Sequence, residues 1–191
     1  MKKYIEQINK FIPTCVQEEK DKELILEMIE KEKDNILIRE TKYAHLTSSG
    51  LVVNKDLSKV LMAYHNIYDS WAWTGGHVDG EEDLYEVALR EVKEETSVNN
   101  LNPISEDIIS LEVLSVNGHF KNNQYVSSHL HLNVTYVFVC DEKEKTKIKE
   151  DENSGIMWID VKDLEKYCTE PQMIVIYRKI ISSAKRLLEK E

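Results

Sequence analysis

Glu91, Glu94 and Glu95 crowd around one arginine in the stretch "REVKEETS", Arg90 to Ser97. At about 100° per residue they share one arc of a helix, and the same arc holds Leu84, Val87 and Ala88. An inward-looking apolar stripe therefore turns into carboxylates. Side chains at i+3 and i+4 are neighbours, and like charges about 4 Å apart at an effective dielectric of about 20 repel by roughly 4 kcal/mol. A half-buried cluster of this kind either protonates or takes in a cation. Oxygen donors on one helical face suit Mg2+ or Mn2+. The spacing alone also fits a solvated helix end, because Glu is a good helix former.

Upstream residues add to the first reading. Gly75 and Gly76 allow backbone to approach a ligand and free their carbonyls for a metal. Glu82 lies eight residues before Arg90, just over two helical turns, so the two can share a side of the helix. The arginine fork can then hold carboxylates in place. His77 follows the glycines, placed either to meet a phosphate or metal-bound water or simply to be exposed. His129 and His131 share a strand face with Asn133 and Thr135, and this face either lines a cleft or meets solvent. Trp71 and Trp73 either stack on a base or sit in the core.

The elements that must position these residues follow from periodicity. Residues 17–32 are predicted helical, with Leu24, Ile25, Met28 and Ile29 on one stripe. Runs around 47–53 and 59–64 flank the polar turn "NKDLSK" and read as a hairpin. Asp83 to Thr96 is the central helix, with acidic residues at its start. "DIISLEVLSVNGHF" is a strand with a loop after it, "SSHLHLNVTYVFVC" alternates strictly, and "GIMWIDV" is a short strand. Thr169 is the expected cap of a last helix, with Pro171 in its first turn, Gln172 in the capping-box position and a stripe from Met173 to Leu188. Helix, strands, helix, strands, helix implies an α/β chain with a mixed sheet between helical layers.

Composition narrows the function. The chain has 191 residues, 41% of them apolar, which suits one packed domain. With 25 Lys and Arg against 35 Asp and Glu, the net charge is 25 − 35 = −10. Such acidity argues against nucleic-acid binding and calls for a cation if the substrate is anionic. Cys15, Cys140 and Cys168 show no metal-binding spacing. The polar N-terminus and the lack of an apolar run near 18 residues point to a reducing cytoplasm rather than export or a membrane.

Gly76, five residues, Glu82, seven residues, Arg90-Glu91-Val92, Glu94-Glu95, then Ser97 and Val98: this register resembles the signature of the Nudix hydrolases, with Ser97 where that family has glycine. The hairpin before it, "WAWTGGH" and "DENSGIMWIDVKDL" are looser likenesses. The resemblance implies a Nudix-type α/β/α sandwich with a mixed sheet. It would be one domain over residues 1–191, with a helical extension at 1–40, a core at 41–168 and a final helix at 169–191. Members mostly cleave a diphosphate linked to another moiety, using one to three divalent metals. Carried over, Glu94 and Glu95 are metal ligands and Glu91 is a ligand or the general base. Gly75 offers a carbonyl, Arg90 orients the glutamates, Glu82 braces the helix or touches metal through water, and Gly76 is a structural residue of the motif. Glu152, six residues before Trp158, is a further candidate ligand or base. The implied partner is a small-molecule diphosphate, and a homodimer is left open. Two alternatives stand beside a hydrolase: a non-catalytic nucleotide sensor, and an isopentenyl-diphosphate isomerase. The isomerase would need a catalytic cysteine and a His/Glu metal set.

Overall fold

The computed structural model describes residues 1–66, 69–121, 123–149 and 153–189, with the backbone only at Lys121. In chain order the elements are α1 (Lys3–Lys10), α2 (Val16–Glu32), β1 (Ala44–Val53), β2 (Lys59–His65), β3 (Ser70–Ala72), β4 (Thr74–His77), α3 (Leu84–Thr96), β5 (Asn102–Pro103), β6 (Ser110–Val116), β7 (His119–Lys121), β8 (Gln124–Val126), β9 (His129–Val139), β10 (Asn153–Asp160), α4 (Leu164–Tyr167) and α5 (Pro171–Leu188).

A parallel pair, β1 and β9, forms the middle of a mixed sheet, in register from Ala44↔Leu130 to Val53↔Val139. Each central strand divides its outer edge between two antiparallel partners. β1 pairs with β4 at Thr47–Gly50 and with β2 at Val52–Val53. β9 pairs with β6 along its first half and with β5 at its end. β10 and β3 add to β2, and β7 and β8 form a separate hairpin.

All ten residues of β1 are buried, as expected for a strand covered on both faces. Ala44, Leu46, Val52, Leu132, Val134, Tyr136 and Phe138 face one core with α1, α2 and α3. Leu51, Val53 and Val137 face a second core with α5, through Tyr177, Ile180, Ile181 and Ala184. The layers are thus helix, sheet, helix. Both faces of β9 are covered for most of its length, so the strict alternation separates two cores rather than core from water.

Three local features differ from the sequence expectations. α1 has no counterpart in them, because its stripe is only two residues long; Tyr4 and Ile8 nonetheless sit fully in the core. Leu24 of α2 is exposed, while Ile25 and Ile29 carry that helix's packing. Thr169 does not cap α5: its hydroxyl turns to the Asp69 carbonyl at 3.4 Å, and Glu170 occupies the cap position before Pro171.

Candidate active site

α3 begins after Asp83, whose extended backbone (φ −97°, ψ 94°) cannot continue a helix backwards. It ends at Ser97 in the left-handed region (φ 60°, ψ 12°), where the Ser97 N–H donates to the Lys93 carbonyl at 2.8 Å. Leu84, Val87, Ala88 and Val92 fix its rotation by entering the core. That rotation sets out the three glutamates as a gradient: the Glu94 side chain is 48% exposed, Glu91 13%, and Glu95 as a residue 4%.

Each carboxylate has its own restraint. Glu95 Oε1 accepts the Gly75 N–H at 2.8 Å and Oε2 accepts Asn153 Nδ2 at 2.8 Å. Glu91 packs over Gly76, where an added Cβ would lie only 2.5 Å from its carboxyl carbon, and it accepts from Arg90 Nη2 at 3.2 Å. Burial pushes the Glu91 carboxyl above its ordinary range, and the Arg90 charge offsets part of this. Glu94 stands 3.7 Å from Arg90 Nε and 3.9 Å from Lys149 Nζ. Glu91, Glu94 and Glu95 all border one cleft, and carboxylate oxygens are the donor type that hard divalent ions take.

One expectation changes here. Glu82 does not brace α3; it pairs with Lys2 Nζ at 2.9 Å, and Glu81 takes the Arg90 guanidinium instead. The two-turn spacing fails because residues 81–83 precede the helix. The Gly75 N–H donates to Glu95, a bond that does not involve the carbonyl expected to serve as a ligand. Glu152 lies outside the described residues.

The opposite wall comes from the sheet. In the ladders Thr47 stands opposite both His77 and Asn133, and His45 opposite His131, so these side chains share one face. Thr47 Oγ1 and Ser49 Oγ both donate to Asn133 Oδ1, at 3.0 and 2.8 Å. Asn133 Nδ2 in turn reaches Thr135 Oγ1 at 3.0 Å. His131 lies deep enough that burial, with the neighbouring histidines adding, holds its pKa at about 2. Burial lowers His45 as well. His45 was missed from the sequence; its signal was even spacing with Thr47 and Ser49, just outside the expected hairpin run.

A cleft of about 300 Å³ joins both walls, bordered by Glu91, Glu94 and Glu95 on one side and by His77, His131 and Asn133 on the other. His129 lies behind His131, with Nε2 atoms 3.3 Å apart. Trp73 and Tyr177 meet edge to face at the cleft (centroids 5.4 Å apart), whereas Trp71 packs on Tyr64. No cysteine borders the cleft among the described residues; Cys140 and Cys168 are buried elsewhere.

Comparison with known proteins places the chain. The sequence profile of the NUDIX domain matches residues 44–180. No curated protein matches it. Among solved structures, the E. coli dihydroneopterin triphosphate pyrophosphohydrolase superposes with a TM-score of 0.55 at 16% identity, covering 71% of this chain and 94% of that one. A C. elegans Ap4A hydrolase gives 0.52 at 19%, covering 72% and 95%. The NUDIX domain of Shewanella oneidensis NrtR, solved with ADP ribose, gives 0.50 at 18%, covering 75% and 87%. These likenesses agree with the helix–sheet–helix layering, and the profile spans nearly all of the sheet together with α3 and much of α5. The chain belongs to the NUDIX family.

Proposed function

We propose that this NUDIX pyrophosphohydrolase cleaves the phosphoanhydride of a nucleoside diphosphate linked to another moiety, with Mg2+ or Mn2+ held by Glu91, Glu94 and Glu95. The observation that carries this reading is the convergence of three carboxylates of graded burial on one cleft, with Arg90 and Lys149 as the cations near Glu94. When bound, the metal neutralises the diphosphate and lowers the pKa of a bound water.

The remaining work falls to the chain. Arg90 holds Glu91 and Glu94 through its planar fork. Gly75 and Asn153 hold Glu95. Glu91, over Gly76 and beside Arg90, serves either as the third ligand or, left off the metal, as the general base that takes the proton of the attacking water. His77 and His131 form the wall that the phosphates meet, and Trp73 with Tyr177 offers an aromatic edge for the attached group. In this reading residues 1–191 act as one cytoplasmic domain.

Phosphate release from a panel of nucleotide sugars, ADP-ribose, dinucleoside polyphosphates and nucleoside triphosphates tests this, with Mg2+, with EDTA and with the Glu94→Gln variant. Glu94 is exposed, so the variant keeps wild-type stability within about 0.5 kcal/mol. Turnover falls by about 100-fold or more, and EDTA abolishes it reversibly. Full activity in EDTA or in the variant would sink the site assignment. Binding without turnover across the panel would favour a nucleotide sensor.

A further inference from the structure

The sheet wall of the cleft holds more than contacts for phosphate. His45 on β1, His77 on β4 and His131 on β9 bring one ring nitrogen each to within 4.8 Å of one another. Their ring centroids are 4.7, 5.0 and 5.1 Å apart, and their planes are tilted by 45°, 88° and 50° rather than stacked. Three strands deliver them, and ladder register alone puts them on one face.

The hydrogen bonds show what the cluster lacks. His45 Nδ1 faces the Thr41 carbonyl at 3.2 Å, and a carbonyl only accepts, so Nδ1 carries the proton. Nε2 is then a lone-pair nitrogen. It is buried, points into the cluster, and has no donor in reach among the described residues. A buried acceptor without a partner is destabilising, and His45 is only 4% exposed. The same outer pattern recurs at His129, whose Nδ1 faces the Ser127 carbonyl at 2.9 Å while its Nε2 stands 3.3 Å from His131 Nε2. Carbonyls and neighbouring rings that fix the far nitrogen of a histidine are what orient imidazoles toward a metal.

We propose that His45, His77 and His131 bind a borderline transition-metal ion of the Zn2+ class, as a second cation station distinct from the glutamate station of α3. Three neutral imidazoles are nitrogen donors that suit Zn2+, Co2+ or Ni2+ and are poor ligands for Mg2+. Around a tetrahedral ion with bonds of about 2.05 Å, ligand nitrogens sit about 3.3 Å apart. The present spacing, within 4.8 Å, must close to that value when the ion enters. Three protein ligands leave a fourth position, and because His77 and His131 border the cleft, that position opens to it. The two stations are near neighbours: Glu91 packs on Gly76, the residue before His77. A phosphate oxygen or a water is the chemistry the open position would take.

This inference does not rest on hydrolysis, and its test does not read activity. Protein prepared without a histidine tag and stripped of metal is titrated with Co2+, in the wild type and in His77→Asn, His45→Gln and Glu94→Gln variants. Visible absorption and bound metal per chain are recorded, and far-UV circular dichroism checks folding. The wild type should bind one Co2+ with the intense visible band of a tetrahedral site, and Glu94→Gln should keep it. His77→Asn should weaken binding by at least about 100-fold. His77 is partly exposed and its variant folds, so it decides the matter even if His45→Gln does not fold. No stoichiometric Co2+ in the wild type, or binding untouched by His77→Asn, would overturn the proposal. Loss of the band in Glu94→Gln would overturn it too, since the ion would then belong to the glutamates.

Discussion

Gly76 is where the architecture makes its sharpest demand on the chemistry. A Cβ added there would lie 2.5 Å from the Glu91 carboxyl carbon and 2.6 and 2.9 Å from its oxygens. Ordinary carbon contacts are about 3.5–4.0 Å, so in Gly76→Ala the carboxylate must retreat by about 1 Å. It is the free end of a flexible side chain, and an off-rotamer χ costs about 0.5–1.5 kcal/mol. For a chain of this size that lowers Tm by about 1–6 °C. A catalytic group misplaced by about 1 Å costs on the order of 100-fold in rate, or about 2.7 kcal/mol of transition-state stabilisation. The expected signature is a collapse of kcat/KM with the fold nearly intact, measured by initial rates and thermal melts on the same preparation. A double-mutant cycle sharpens it: with Glu91→Ala in place there is no carboxylate to displace, and adding Gly76→Ala should change the residual rate little. Gly75→Ala is the contrast. Its Cβ would meet Ser49 Oγ at 2.3 Å and Ser49 Cα at 2.8 Å, which is backbone, so stability rather than rate alone should fall. Near wild-type kcat/KM in Gly76→Ala at unchanged Tm, or equal losses with and without Glu91, would refute the placement of Glu91 in the chemistry.

Ser97→Gly relieves a left-handed residue and should raise stability by up to about 1 kcal/mol, seen as a Tm gain of about 2–4 °C; a fall would mean that the serine side chain contributes more than its backbone costs. Lys179 stands 3.1 Å from Glu18 and 3.0 Å from Glu112, which are 0% and 1% exposed, so Lys179→Met should cost about 3–5 kcal/mol in urea unfolding. Burial raises the Glu112 carboxyl, and a raised folded pKa stabilises below the ordinary value and is lost as pH climbs through the folded one. The variant should therefore regain stability as pH falls from 7 toward 5, and a flat profile would contradict this. Burial pushes the Cys140 and Cys168 thiols up to about 11, so iodoacetamide at pH 7.5 should label the native protein at Cys15 alone. Equal modification of all three would show the cores to be open.

The sequence revealed whatever depends on near neighbours. Glu91, Glu94 and Glu95 follow from a helical wheel, and the wheel holds because Leu84, Val87, Ala88 and Val92 enter the core and set the rotation. Its reach ends where the helix ends. Projecting the same period back to Glu82 failed at Asp83, and Glu81, one residue further back, supplied the carboxylate that Arg90 needs. α1 was illegible for a related reason: eight residues are too few to hold a helix alone, and Tyr4 and Ile8 form it by docking. Glu170 replaced Thr169 as the cap of α5 because the threonine hydroxyl had a nearer claim from the Asp69 carbonyl.

His45 marks the other boundary. Even spacing with Thr47 and Ser49 is its one local signal; it matters because β1 and β9 run parallel in one register and β4 closes on the far edge. The same register explains why central strands carry Thr47, Ser49, Asn133 and Thr135 where apolar residues would be expected. Buried hydroxyls and amides are costly unless they bond to one another, and here Thr47 and Ser49 reach Asn133 across the ladder while Asn133 reaches Thr135 along its own strand. The apolar part of this face, with Leu51, Val53 and Val137, packs in the core of α5, whereas the polar row lines the cleft that Met173 and Tyr177 border. The cleft is therefore a consequence of where the strands stop being apolar. Gly75 and Gly76 then let the carboxylates of a helix on the opposite face reach it. Local spacing wrote one wall of the site, strand register wrote the other, and only the first can be read without the fold.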